Sequence, residues 1–450
     1  MRLIPAMAAG ALCLWLSSCS ATGQKAIQAA LRKGTGTVRL PPEVTNLTEA
    51  LVVPPGAHDL EIAGSPGTLL RASAEFNGRA MLMIPAGQRI SIRDFAMDGN
   101  KTELHRPAEA PPASAAFVNA FHNNGILIEG AKDVRISNLE IRGMVGFAIL
   151  AHGVKKIAME NIRVEDSGGR NTKGHNNTSG GILLEQGTED FEVRNSTLKK
   201  VLGNGIWTRS TDVSARNYRG LIAGNRLEII GRSAVLVGHA NRVRVENNTG
   251  RLIGYPVQAV EGIPVAIGAS GKVDEAVFTG NRIEEINGKC FDLDGFHDGE
   301  VSENVCINRG TANEYPNGQY ALVMNNTFRE MQSQLITIRD NVFDGTRFGG
   351  IFVIGGGHKV IRNKLRRLNL WHCNQGLDGS PCPKNREEPD LMQAGIFLAE
   401  KADRAAPARN NVIESNEISG WKMNARCVMA SPRISLAENT VRNNRCVDSE

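Results

Sequence analysis

Aromatic side chains are scarce: only 4 Trp, 4 Tyr and 14 Phe in 450 residues. No apolar run of ~18–20 residues follows the first twenty, so no membrane-spanning helix is expected in the mature chain. Charge is weak as well, at +5 and spread along the chain, which excludes a nucleic-acid footprint. No CxxC or Cys/His spacing points to zinc. Glycine and proline, at 48 and 18, are too few for a low-complexity chain, and long polar runs are missing, which excludes wholesale disorder. By contrast asparagine reaches 38 residues. A long chain poor in rings and rich in Asn and Gly is first searched for repeats.

A short unit recurs from about residue 120 onward. An alternating apolar stretch leads into a Gly-containing turn, a second short strand, an Asn and a third strand. First strands include GILIE (125–129), GILLE (181–185), GIWTR (205–209), CFDLD (290–294), GIFVI (350–354) and RCVMA (426–430). The asparagines are Asn138, Asn161, Asn195, Asn225, Asn248, Asn281, Asn304, Asn341, Asn363, Asn416 and Asn439, many of them 22 or 23 residues apart. Alternation has period two, so helical repeats are excluded. A unit of ~22 residues cannot bury its apolar face alone and must stack on its neighbours. An Asn at one turn position tolerates left-handed backbone, bonds locally and would align in a ladder. The pattern resembles the right-handed parallel β-helix of the pectate-lyase-like superfamily. The resemblance covers residues 40–450 and implies a single all-β solenoid. Residues 24–33 read as a short amphipathic helix capping its open end, within a linker and cap over 19–39. Residues 101–123 form a Pro/Ala-rich excursion.

The N-terminus has a basic residue, Arg2, then an apolar stretch. Leu16-Ser17-Ser18-Cys19 resembles the lipobox of bacterial lipoproteins. The resemblance implies a signal peptide over 1–18, lipid on Cys19 and an outer-membrane anchor in the cell envelope, with a soluble domain held at the bilayer by acyl chains alone. Six further cysteines fall in close pairs, Cys290/Cys306, Cys373/Cys382 and Cys427/Cys446. An even count in an oxidising compartment reads as disulfides.

Alternation points Phe291 and Leu293 inward, and Asp292 and Asp294 outward. The same register turns Glu185, Trp207 and Arg209 outward, onto the sheet that serves as substrate groove in the superfamily. Insertions before this strand, at about 165–180, 250–263, 308–319 and 369–394, build one wall. They carry Tyr255, Tyr315 and Trp371, candidates for stacking on sugar rings; packing of the loops is the alternative. Asp292, Asp294, His297 and Asp298 form the sharpest cluster. Paired Asp residues on one strand face suit acid and base in inverting glycoside hydrolysis. The polygalacturonase-like hydrolases of this fold also place Asp here, although their Asn-Thr-Asp, Asp-Asp and Arg-Ile-Lys motifs are absent. Gly-Phe-His297-Asp298 loosely resembles a motif of the mannuronan epimerases. On that reading His297 is the base of a uronate lyase or C5-epimerase and Arg209 pairs with a uronate carboxylate. Asp292 and Asp294 could instead hold Ca²⁺. His239 is a further candidate substrate contact. The expected partner is a polysaccharide or oligosaccharide, and a monomer is expected. A noncatalytic glycan-binding or scaffold protein is the rival reading, since fold does not fix function.

Overall fold

The computed structural model describes residues 18–257, 263–318, 320–372, 393–401 and 403–449. Each coil contributes three short strands, and each strand pairs in parallel with its equivalents in adjacent coils. Three sheets therefore run along one solenoid, as the alternation predicts. Sheet A includes Asn124–Glu129, Ile149–His152, Ile182–Glu185, Ile206–Arg209, Lys289–Asp294, Leu322–Asn325, Ile351–Val353, Ile396–Leu398 and Val428–Ala430. The first halves of Val235–Glu246 and Val265–Asp274 fill the gap in that series. Sheet B, which includes Glu300–Ser302, Thr337–Arg339 and Lys359–Ile361, and sheet C follow in each coil. C includes Arg282–Ile286, Val305–Ile307 and, at the far end, Arg445–Asp448. Inward side chains stack in columns; one runs through Ile206, Val235, Ile267, Phe291 and Leu322, all essentially inaccessible to solvent. A narrow core built this way needs aliphatics in register and few large rings, which accounts for the aromatic shortage.

Helix α1, Ser18–Leu31, covers the first coil and contains most of the predicted cap. Ile27 and Leu31 close the core. Two glutamines one turn apart treat the exposed edge as a strand would. Gln28 donates to the Val52 carbonyl and accepts from the Val52 N–H, both at 2.8 Å. Gln24 does the same for Glu49 O and Thr48 N at 3.1 and 3.0 Å. The edge is thus blunted without another strand.

The asparagines divide into two adjacent columns, a correction to the single ladder expected. Asn138, Asn161 and Asn195 have φ of 54°, 55° and 50° and occupy the left-handed corner. The buried ladder sits one residue later. It runs Asn225, Asn248, Asn281, Asn304, Asn341, Asn363, Asn416 and Asn444. At each step the amide Nδ2 and the backbone N–H both donate to the next Asn Oδ1, as Asn281 does to Asn304 at 2.9 and 3.0 Å. Asn439 belongs elsewhere. With Asn411 and the buried His358 it forms a shorter ladder at another corner.

Two of the expected disulfides are present, Cys290–Cys306 and Cys427–Cys446, with Cα atoms 6.3 and 5.7 Å apart. Both tie the start of a sheet A strand to sheet C of the same coil. Register places Cys306 and Cys446 in one column, joined through Phe343, Leu365 and Ile418. Cys373 and Cys382 lie outside the described residues. No helix among the described residues is long and apolar enough to cross a membrane.

The excursion at 101–123 does not merely precede the regular coils. It folds back as a strap across the outer face of sheet A. Phe117, Val118 and Phe121 pack on Leu127, Phe147, Leu150 and Leu183 in a second apolar cluster outside the solenoid core.

Candidate active site

The strap decides the fate of three predicted contacts. Glu185 and Arg209 do project from the outer face of sheet A, but they are 0% and 5% exposed. Glu185 accepts the Phe117 and Val118 N–H groups at 2.6 and 3.0 Å, and Arg209 Nη1 at 2.7 Å. Arg209 Nη2 donates to Ala113 O at 2.6 Å, and the guanidinium lies 3.8 Å from the Phe117 ring centre. The pair clasps the strap and is closed to substrate. Trp207 is half-buried, edge-on to Phe117 at 5.4 Å.

The predicted loop aromatics are also engaged. Tyr315 is 2% exposed; its hydroxyl donates to Glu285 and accepts from Gly310 N. Tyr255 donates to Glu314 O at 3.1 Å, and burial pushes its hydroxyl up to about 12. Trp371 lies beneath Arg347, 3.6 Å from the guanidinium, while Arg347 also reaches Pro316 O. Three sequence-distant loops are thereby knit into one wall. Packing, the alternative weighed for these rings, describes their contacts.

Three coils beyond Arg209, the face is open. Asp292 and Asp294 point outward from Lys289–Asp294 while Phe291 and Leu293 are buried, as the alternation requires. Asp292 Oδ2 accepts from Lys289 Nζ at 2.7 Å. Its Oδ1 is buried and has no hydrogen-bond partner among the described residues. Asp294 accepts from Thr327 N at 3.0 Å and Thr327 Oγ1 at 2.8 Å. Its pKa is nonetheless raised, first by burial and further by the nearby Asp292 charge, against the donors from Thr327 and Gly271. An ammonium, amide N–H groups and a hydroxyl surround these carboxylates. Those are the partners of anions, so the geometry does not favour the alternative in which Asp292 and Asp294 hold Ca²⁺.

A second wall, missed in the sequence, rises after the sheet A strand. Asn325 Nδ2 and Asp403 Oδ2 meet at 3.1 Å, Asp403 N returns a bond to Asn325 Oδ1, and Arg404 Nε donates to Thr327 O at 2.9 Å. Phe328, next to Thr327, is half-exposed. His239 packs edge-on to it at 5.2 Å and lies 3.5 Å from Asp212. Lys272 Nζ is 5.5 Å from the Phe328 ring centre and pairs with Glu330 at 2.6 Å. Burial lowers the His239 pKa, which favours a neutral ring. Phe328 sits in NNTFRE, a stretch that reads as an ordinary coil because it lacks the length of the other insertions.

His297 does not join this group. Gly295, at φ 60°, turns the corner after Asp294, and Phe296–His297 pairs with Val273 and Asp274 on the next face. There His297 Nδ1 contacts Asp298 Oδ2 at 2.6 Å and Asp274 Oδ1 at 3.4 Å. These three present ligand atoms within 4.8 Å of one another, a set that could hold a cation away from the groove.

The family model for the right handed beta helix region matches residues 117–262 and 181–365, together more than half of the chain. The chain belongs to the right-handed β-helix family. No curated protein matches it. Solved β-helices resemble it over most of their length. The A-module of a mannuronan C-5 epimerase from Azotobacter vinelandii has 15% identity and TM-score 0.56, over 78% of this chain and 91% of that one. An exopolygalacturonase from Thermotoga maritima has 11% identity and TM-score 0.53, over 78% and 88%. The surface adhesin PfbA of Streptococcus pneumoniae has 15% identity and TM-score 0.52, over 77% and 85%. At such identities the likeness is one of fold. Two of these β-helices are named for enzymes and one for an adhesin, so the fold leaves the activity to be argued from the site.

Proposed function

We propose that this β-helix is a glycoside hydrolase of the cell envelope, tethered by lipid on Cys19 and acting on a polysaccharide or oligosaccharide. The observation that carries the reading is Asp294: a half-buried carboxyl, raised in pKa, on the open face of sheet A beside Asp292. A proton retained on Asp294 is what a general acid needs to protonate the glycosidic oxygen. Asp292 is the base. Its carboxylate, held at Oδ2 by Lys289, takes a proton from the water that attacks the anomeric carbon. The Cα atoms of residues i and i+2 of a strand lie ~6.6–7 Å apart, which leaves two side chains on one face room for the ~6.5–9.5 Å carboxyl spacing of inverting glycosidases. Phe328 supplies the apolar face beside the acid. The enzymes among the structural neighbours, named for polyuronate or glycan chemistry, support a carbohydrate as partner. The lyase or epimerase reading asks His297 to act as base in the groove and Arg209 to be free for a uronate carboxylate on a neighbouring sugar. His297 lies round the corner with two Asp residues and Arg209 under the strap, so hydrolysis is favoured.

The test is a reducing-end assay over acidic and neutral polysaccharides, with Asp292→Asn and Asp294→Asn as controls. Each variant should lose nearly all turnover while keeping the wild-type melting temperature. Unsaturated uronate products would overturn hydrolysis in favour of elimination. Binding without any cleavage would make the protein a glycan-binding scaffold.

A further inference from the structure

The outer face of sheet A changes character along its length. One outward column passes through every coil, and its exposure can be followed strand by strand. On the N-terminal side Leu127, Leu150 and Leu183 are sealed beneath the strap, and Trp207 leans on Phe117 at the edge of that cover. In the middle Leu236, Asp292 and Val323 are half-exposed, with Gly268 as floor between the first two. Beyond them Phe352 and Phe397 are buried again, at 5% and 2%, with Tyr320 against Phe352 at 6.2 Å. The face is therefore a window and not an open channel.

Its dimensions follow from the coil repeat. Trp207 lies three coil steps from Asp292, or ~14 Å. Phe352 lies two steps away on the other side, or ~10 Å. The lateral sides are closed too. One wall is the loop set knit by Tyr315, Tyr255 and Trp371; the other is the pair of loops joined through Asn325, Asp403 and Arg404. The strap is not a loosely laid flap. Its cover is fixed by the Glu185 carboxylate, whose bonds to the Phe117 and Val118 N–H groups and to Arg209 are all buried. Buried charge-assisted hydrogen bonds of this kind are costly to break.

We infer that the enzyme attacks chain ends or short oligosaccharides and does not cut long chains internally. A polymer crossing the site along the sheet would have to pass through the strap or through the cover of Phe352; a terminal segment of a few sugar rings fits between them. This inference rests on the hydrolase reading above and assigns its mode of attack.

The experiment follows wild-type protein on polygalacturonate, alginate and α-1,3-glucan, recording solution viscosity, new reducing ends and product length together. End attack predicts mono- or short oligosaccharides from the first time point, with viscosity falling far behind the count of reducing ends. An early collapse of viscosity with products of all lengths would overturn end attack and leave the hydrolase reading standing. No reducing ends from any of the three would overturn the hydrolase reading, and the mode of attack with it.

Discussion

Asp294 is held by opposing influences. Burial and the Asp292 charge favour its protonated form, whereas the Thr327 hydroxyl and N–H and the Gly271 N–H favour the anion. The net shift is upward, so a reaction that uses Asp294 as acid should persist above the ordinary carboxylate range and fail as Asp294 ionises. Thr327→Val removes one donor to the anion and keeps the backbone N–H. The pKa of Asp294 should then rise, and the alkaline limb of the rate profile should move to higher pH, with the optimum rate kept within about tenfold. A pH–kcat profile checks this; a limb that stays in place or moves to lower pH would remove Asp294 from the role of acid. The outward direction of Asp292 and Asp294 was legible in CFDLD, because a strand with Phe291 and Leu293 inside has no other way to face. What lay beyond reach was the company they keep. Thr327 is 33 residues away, and only the coil register brings it alongside.

Among the elements, the Asn columns and the strap show what a repeat can hide. Spacing alone assigned Asn138 and Asn304 one role, since two neighbouring positions of a coil share the same period. Their physics differs. Asn138 is exposed in left-handed backbone, a conformation glycine adopts without penalty. Asn304 is buried, accepts from Asn281 N and Nδ2, and donates to Phe278 O and Asn341 Oδ1. Glycine at 304 strands those groups at about 1–3 kcal/mol each. Chemical denaturation should therefore show Asn304→Gly losing at least about 3 kcal/mol, and Asn138→Gly staying within about 0.5 kcal/mol of the wild type. Equal losses would contradict the division into two columns. The strap misleads for a related reason. Alternation placed Glu185 and Arg209 on the outer face correctly, but exposure depends on what else arrives there, and Phe117 arrives from 68 residues upstream of Glu185. Nothing local to GILLE or GIWTR carries that information. The Pro/Ala-rich composition of 101–123 marked an excursion without revealing where it lands.

For the whole molecule, length adds coils to one stack, and stability becomes a sum over neighbours instead of the property of a single core. Coils in the middle are held on both sides. The last described coil is held on one: Val428–Ala430, Thr440–Arg442 and Arg445–Asp448 each pair with a single preceding strand. Its Val428, Met429, Val441 and Cys446 are only partly buried. Fraying should begin there. The Cys427–Cys446 disulfide ties sheet A to sheet C across 19 residues of this coil, a loop whose closure restrains the unfolded chain by roughly 3 kcal/mol. Cys290–Cys306 makes the equivalent link across 16 residues in a coil flanked on both sides. The two bonds should therefore act differently despite their matching place in the repeat. Cys427→Ser/Cys446→Ser should speed amide hydrogen exchange strongly over residues 412–449 and leave coils 225–304 unchanged. Cys290→Ser/Cys306→Ser should produce a smaller, broader rise, because opening an inner coil also breaks the stacks on either side. Peptide-resolved hydrogen exchange separates the cases. Equal local effects at both sites would mean that the end coil is as firmly held as the middle ones, contrary to a stack stabilised by its neighbours.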